Sequence, residues 1–128
     1  MIPDGSPPPN HFNLPRRIRR LADLAYNLWW TWNHDAERAF RFIDFVGWEA
    51  ARHNPVSFLR QVPAARLKAV IQDRLYLELY DQVIREFDAY MANGADHWFQ
   101  RRHADELSGP IAYFCAEYGF HESLGIYS

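Results

Sequence analysis

The chain has 128 residues, of which 48% are hydrophobic and 16% aromatic, and a formal net charge of −2. That apolar content is too high for a disordered chain and suits one domain with a buried core. The small negative charge argues against a general nucleic-acid binder, which needs a basic surface to neutralise phosphates.

Met1–Phe12 holds four of the eight prolines plus Gly5, and residues 1–13 read as a flexible leader. It has no apolar core of the signal-peptide kind, and no later run reaches the ~18 apolar residues of a membrane span. With a single cysteine, Cys115, no internal disulfide forms and the thiol reads as a small core hydrophobe. The cytoplasm is the expected compartment, with no membrane and no nucleic-acid partner.

Asn13 can cap the next helix, with Pro15 in its first turn. Leu14, Ile18, Leu21, Ala25, Leu28 and Trp32 then follow a 4-3-4-3-4 spacing that keeps one stripe on one helix face. His34–Asp35 begins a second helix, Ala36 to about Val46, burying Phe40, Ile43 and Phe45. Asn54–Pro55 is a cap-and-proline start, with Val56, Leu59 and Val62 as its apolar face. After Pro63 a long helix runs from Ala64 or Asp73 to Ala92, where Asn93–Gly94 stops it. Its stripe is Tyr76, Leu79, Tyr80, Val83, Phe87 and Tyr90, with Glu78, Asp81, Arg85 and Asp88 outside. A short helix near Asp96–His103 precedes Ser108–Gly109–Pro110, a natural boundary. The helical domain therefore spans 14–107.

Ile111–Ala116 is an unbroken apolar run, which reads as a strand buried on both faces. A lone strand leaves its backbone groups unpaired, so its sheet must come from elsewhere and the chain reads as the front end of something larger. The fold class is mainly α: a bundle of four to six helices, then one strand that opens an α/β domain not contained in residues 108–128.

Several residues could carry chemistry. Glu117 follows the strand directly, at the carboxyl end where open α/β sheets place ligands, and Gly119 and Gly125 allow tight turns beside it. Trp29 and Trp32 fall on or near the apolar stripe and belong in the core. Trp30 falls on the opposite face with Arg16 and Arg19, so it is a candidate for docking a further domain, a subunit or a glycan. Arg16, Arg17, Arg19 and Arg20 crowd the first turns of a helix against its dipole, which points to an acidic partner surface or an anion, with a solvated face as the commoner alternative. His97 and His103 lie six apart, which no helical metal site uses, so no metal is expected. His53, in the His-Asn-Pro turn, is placed to support a helix start. Lys68, the sole lysine, reads as a surface residue.

The segments LPRRIRRLADLAYNLWWTWNHDAERAFR (Leu14–Arg41), HNPVSFLRQV (His53–Val62) and CAEYGFHESLGIYS (Cys115–Ser128) together resemble the amino-terminal part of compact bacterial and archaeal α-glucan phosphorylases. The resemblance covers roughly Asn10–Ser128. It implies that the strand begins a GT-B-like catalytic domain, and that Gly-Gly-Leu-Gly, the lysine for pyridoxal phosphate and the phosphate site lie beyond Ser128. It implies an enzyme that transfers a glucosyl unit from α-1,4-glucan to inorganic phosphate, giving glucose 1-phosphate. Catalytic residues are expected outside these 128. Glu117, His121, Tyr127 and Ser128 become candidates for the substrate cleft, with Glu122 beside them, and the helices pack on the catalytic domain of the same chain. The alternatives are a helical module that grips glucan, or a protein-interaction module that forms a homo-oligomer through Trp30 and the arginines.

Overall fold

Side-chain caps set most of the helix starts. The computed structural model describes residues 12–92, 98–103, 105–106, 109 and 112–113. Among these are seven α-helices: α1 (Leu21–Ala25), α2 (His34–Arg41), α3 (Phe45–Ala50), α4 (Pro55–Gln61), α5 (Ala64–Val70), α6 (Arg74–Ala92) and α7 (Trp98–His103). Asn33, Asp44 and Asn54 accept hydrogen bonds from the backbone N–H three residues on, at 2.8, 3.2 and 2.9 Å. Asp73 accepts from the N–H groups of both Leu75 and Tyr76, at 2.9 and 3.1 Å. Each bond satisfies a donor that the first helical turn leaves orphaned.

The architecture is helical, as expected, but more finely divided. The predicted helix over 14–32 is three pieces: a 3-10 turn (Arg16–Ile18), α1, and a second 3-10 turn (Leu28–Trp32). Asn13 is not a cap, because the first turn starts at Pro15 without a side-chain cap bond. Between the pieces, Asn27 is extended and its side chain accepts from the Trp29 N–H at 2.9 Å. That local bond competes with helix continuation and restarts the chain in a new register. The predicted helix Ala36–Val46 ends at Arg41, and Asp44 opens α3 as a separate element. Phe45 is thereby turned outward, 57% exposed, whereas Phe40 and Ile43 are buried as expected. Ile71–Asp73 likewise separates α5 from α6.

One core runs through the domain. The turn at 28–32 packs on α1 and α2, α2 lies along α6, and α4 packs on both α1 and α3. Ile18, Leu21, Leu24, Phe40, Trp48, Phe58, Tyr76 and Val83 are its largest fully buried side chains. Trp48 is the centre of an aromatic cluster. Phe40 stacks on it at 5.6 Å and 5°, and Trp30 and Phe58 meet it edge-on at 6.1 and 5.6 Å. His53 stacks against it at 5.5 Å. The α6 stripe is real at Tyr76, Tyr80, Val83 and Phe87, which are all buried, but Tyr90 at its far end is exposed.

The α3–α4 turn carries Arg52 and His53 at φ 51° and 56°. Left-handed geometry costs a non-glycine residue roughly 1–2 kcal/mol. His53 is held by its stack on Trp48 and by Nε2 lying 3.0 Å from Glu49 Oε1. The α4 start is capped by Asn54 with Pro55 in its first turn, as expected, and His53 stands in the turn just before it.

Phe12, assigned to the leader, belongs to the core: it is buried and stacks on Tyr26 at 5.9 Å. Most of the strand expected over Ile111–Ala116 lies outside the described residues; Ala112 and Tyr113, which are described, are exposed and have no strand geometry.

Candidate functional site: an aromatic shelf beside an arginine–aspartate ladder

The break at Asn27 decides which tryptophans face solvent. A 3-10 turn has three residues per turn, so residues i and i+3 share a side. Trp29 and Trp32 accordingly both approach Tyr90 on α6, at 6.3 and 6.4 Å between ring centroids. Trp29 is the inner of the two, packed also on Phe87 at 5.4 Å and buried. Trp32 is the outer one, 54% exposed. Trp30 points the other way, into Phe40 and Trp48, and is only 4% exposed.

Two assignments are thus exchanged. Trp30, expected as a docking residue on the outer face, is a core residue and cannot bind an external partner. Trp32, expected in the core, is the surface aromatic. The helical wheel assumed one continuous helix from Leu14, and the register change at Asn27 invalidates it. Together with Leu28, Tyr90 and Met91, each more than two-fifths exposed, Trp32 forms an apolar shelf at the carboxyl end of α6. A signal for it existed in the sequence: Asn27 is a residue whose side chain breaks helices by bonding the backbone two residues on.

The arginine cluster resolves within the fold. Arg17 Nη2 donates to both carboxylate oxygens of Asp81, at 2.7 and 2.6 Å. Arg20 makes a two-pronged bond to Asp88, with both distances 2.7 Å, and its Nε donates to Asp23 at 3.0 Å. Asp81 and Asp88 are two turns apart on α6, so the pair of bridges staples the amino-terminal segment along it. The Asp88 bridge raises the Arg20 pKa above its already high value, and the Arg20 guanidinium lowers that of the Asp88 carboxyl. Both bridges are substantially exposed, so each is worth no more than about 1 kcal/mol. The acidic partner expected for this cluster is therefore α6 itself. Arg16 and Arg19 remain exposed, without an ion pair among the described residues.

Glu117, His121, Glu122, Tyr127 and Ser128, the expected cleft residues, lie outside the described residues. Among the described residues no group of three or more His, Cys, Asp or Glu side chains could hold a metal. None of the described helices is long and apolar enough to cross a membrane. Lys68 is exposed on α5, so it has none of the desolvated surroundings that a lysine bound to pyridoxal phosphate needs; the described residues do not fit that cofactor.

Residues 14–124 match a family described as a protein of unknown function, DUF3417. The chain is 40% identical over 115 residues to the maltodextrin phosphorylase of Thermococcus litoralis, covering 90% of this chain and 14% of that protein. It is 33% identical over 108 residues to the glycogen phosphorylase of Aquifex aeolicus, covering 84% and 14%. It is also 33% identical over 121 residues to the glycogen phosphorylase of Mycobacterium tuberculosis, covering 91% and 14%. The chain thus spans only 14% of the length of these curated relatives. No solved structure matches it.

Proposed function

The chain belongs to the DUF3417 family, and from that premise we propose that it is the amino-terminal helical region of an α-glucan phosphorylase. The observation that carries this reading is the match over 90% of the chain to a maltodextrin phosphorylase at 40% identity. The proposed reaction of the whole enzyme breaks the terminal α-1,4 C–O bond of a glucan and forms a new C–O bond to phosphate. The proton of the phosphate ends on the freed 4-hydroxyl of the shortened glucan. Pyridoxal phosphate is part of this proposal, supplied with its binding residues by polypeptide other than residues 12–113, and so is a cytoplasmic location.

Within that enzyme the helical domain acts as a scaffold. Its single core and the staple of Arg17 and Arg20 to α6 support that role. We assign Glu117 and His121, which fall in the family-matched stretch, to the edge of the substrate cleft, and extend that edge to Tyr127 and Ser128. The test is phosphorolysis by the product of the complete reading frame. Maltoheptaose and inorganic phosphate should yield glucose 1-phosphate, and deletion of residues 14–107 should abolish the activity. Unchanged turnover after the deletion would sink the scaffold role.

A second reading is favoured by the exposed Trp32–Tyr90 pair, whose flat apolar faces suit stacking on sugar rings. Here the domain itself holds glucan. Maltoheptaose should quench tryptophan fluorescence, with the change lost in Trp32→Ala and kept in Arg19→Ala. A titration that Trp32→Ala leaves unaltered removes this reading.

A further inference from the structure

The turn between α2 and α3 and the first turn of α5 enclose a groove of about 430 Å³, lined by Arg38, Arg41, Phe42, Phe45, Val46 and Arg66 among others. A smaller neighbouring pocket shares Phe42, Ile43 and Arg66 with it and reaches Val70 and Asp73. Local bonds account for most of the charge here. Arg38 donates to Asp35 at 2.7 Å, Asp44 caps α3, and Asp73 caps α6. Two cations are left over. Arg41 and Arg66 are exposed, and neither has an ion pair among the described residues. Arg41 lies in the last turn of α2, where the helix dipole favours a cation. Arg66 lies in the first turn of α5, where the dipole opposes one, so its local helix does nothing to explain it.

Between these cations the floor is apolar and open. Phe42, Phe45 and Val46 are 48%, 57% and 74% exposed. A pocket for a small ligand normally shields its apolar lining, and a lining this exposed fits a broad polypeptide surface better. The relatives supply the occupant: this chain spans only 14% of their length, so in each of them a much larger body is joined to the matched domain. We propose that this groove is where the remainder of a phosphorylase-length chain docks, through a surface that brings carboxylates to Arg41 and Arg66 and apolar side chains to Phe42 and Phe45. The proposal rests on the reading given under Proposed function and adds to it the docking face and its chemistry.

The test is footprinting of the product of the complete reading frame, with phenylglyoxal for arginines and hydroxyl radicals for phenylalanines. Arg16 and Arg19 in the same molecule serve as references. Arg41 and Arg66 should react at least about tenfold more slowly than those two, as a desolvated charge pair requires. Charge reversal in R41E/R66E should expose Phe45 to oxidation at several times the wild-type rate, whereas R41K/R66K should not. If all four arginines react alike in an enzyme that phosphorolyses maltodextrin, the docking face is overturned and the functional reading stands. If the protection is present but no phosphorolysis occurs, the docking face stands and the functional reading falls. If millimolar inorganic phosphate abolishes the protection without dissociating the domain, the groove is a small-anion site and the proposal is overturned.

Discussion

Trp48→Ala destabilises the helical domain by about 3–5 kcal/mol, the largest single effect expected in the described residues. Trp48 is fully buried and meets Phe40, Trp30, Phe58 and His53 at ring separations of 5.5 to 6.1 Å. Truncation removes the transfer free energy of a large ring and leaves a cavity bounded by side chains from four elements. These cannot all move inward together. Natural domains have a net stability of only about 5–15 kcal/mol, so the variant sits at or near the unfolding threshold. The loss should also release the left-handed turn at Arg52–His53, because the His53 stack is one of the contacts that hold it. Urea denaturation measures this directly. Trp48→Phe is the informative companion. It keeps a ring against Phe40 while removing an indole N–H that is buried without a hydrogen-bond partner among the described residues. Its cost should be well under half that of the alanine variant. Equal losses from the two would show that a ring kept against Phe40 contributes little to stability.

Tyr76→Phe, conversely, raises stability by about 1 kcal/mol, because an unsatisfied buried hydroxyl costs roughly 1–3 kcal/mol of desolvation. Tyr76 is fully buried, and its hydroxyl has no partner among the described residues. Its ring, against Phe42 at 5.6 Å and Tyr80 at 6.3 Å, is unchanged by the substitution. The same burial pushes the phenol pKa well above its ordinary value of 10.0. The sign of the pH dependence follows. In the folded state Tyr76 keeps its proton, whereas in the unfolded state it ionises near pH 10. Below that pH the group adds nothing to the pH dependence of stability. As pH rises through it, the unfolded state gains by losing a proton, and stability falls by up to about 1.4 kcal/mol per pH unit. Tyr76→Phe should remove one proton's share of that alkaline slope. Tyr80 keeps its own share, since burial raises its pKa too. Thermal melts from neutral to strongly alkaline pH supply both numbers. A variant less stable than wild type, with an undiminished slope, would mean that the hydroxyl is hydrogen-bonded after all.

Features that depend on three or four consecutive residues were readable from the sequence. Asn54–Pro55 marks the start of α4 because an asparagine side chain reaches the N–H three residues on and proline suits the first turn. Tyr76, Tyr80, Val83 and Phe87 could be placed in the core because α6 is long enough for its period to average out local exceptions. The candidate site was less legible. Arg17 and Arg20 read as a solvated face or a patch for an acidic partner or anion, yet their partners are 64 and 68 residues along the same chain. No local pattern reports such a pairing.

What the sequence by itself determined is the helical class, most helix starts, the long amphipathic α6 and the kinship carried by its motifs. These rest on short-range hydrogen bonds and on periodicity, which the chain encodes position by position. Only the tertiary structure decided that Trp30 goes inward and Trp32 outward. Asn27 restarts the chain as a 3-10 turn, and that register is stable because Trp30 packs edge-on against both Phe40 and Trp48 while Trp29 packs on Phe87. Burial is settled by which apolar faces meet across elements distant in sequence, and two residues of register are enough to exchange a core tryptophan for a surface one.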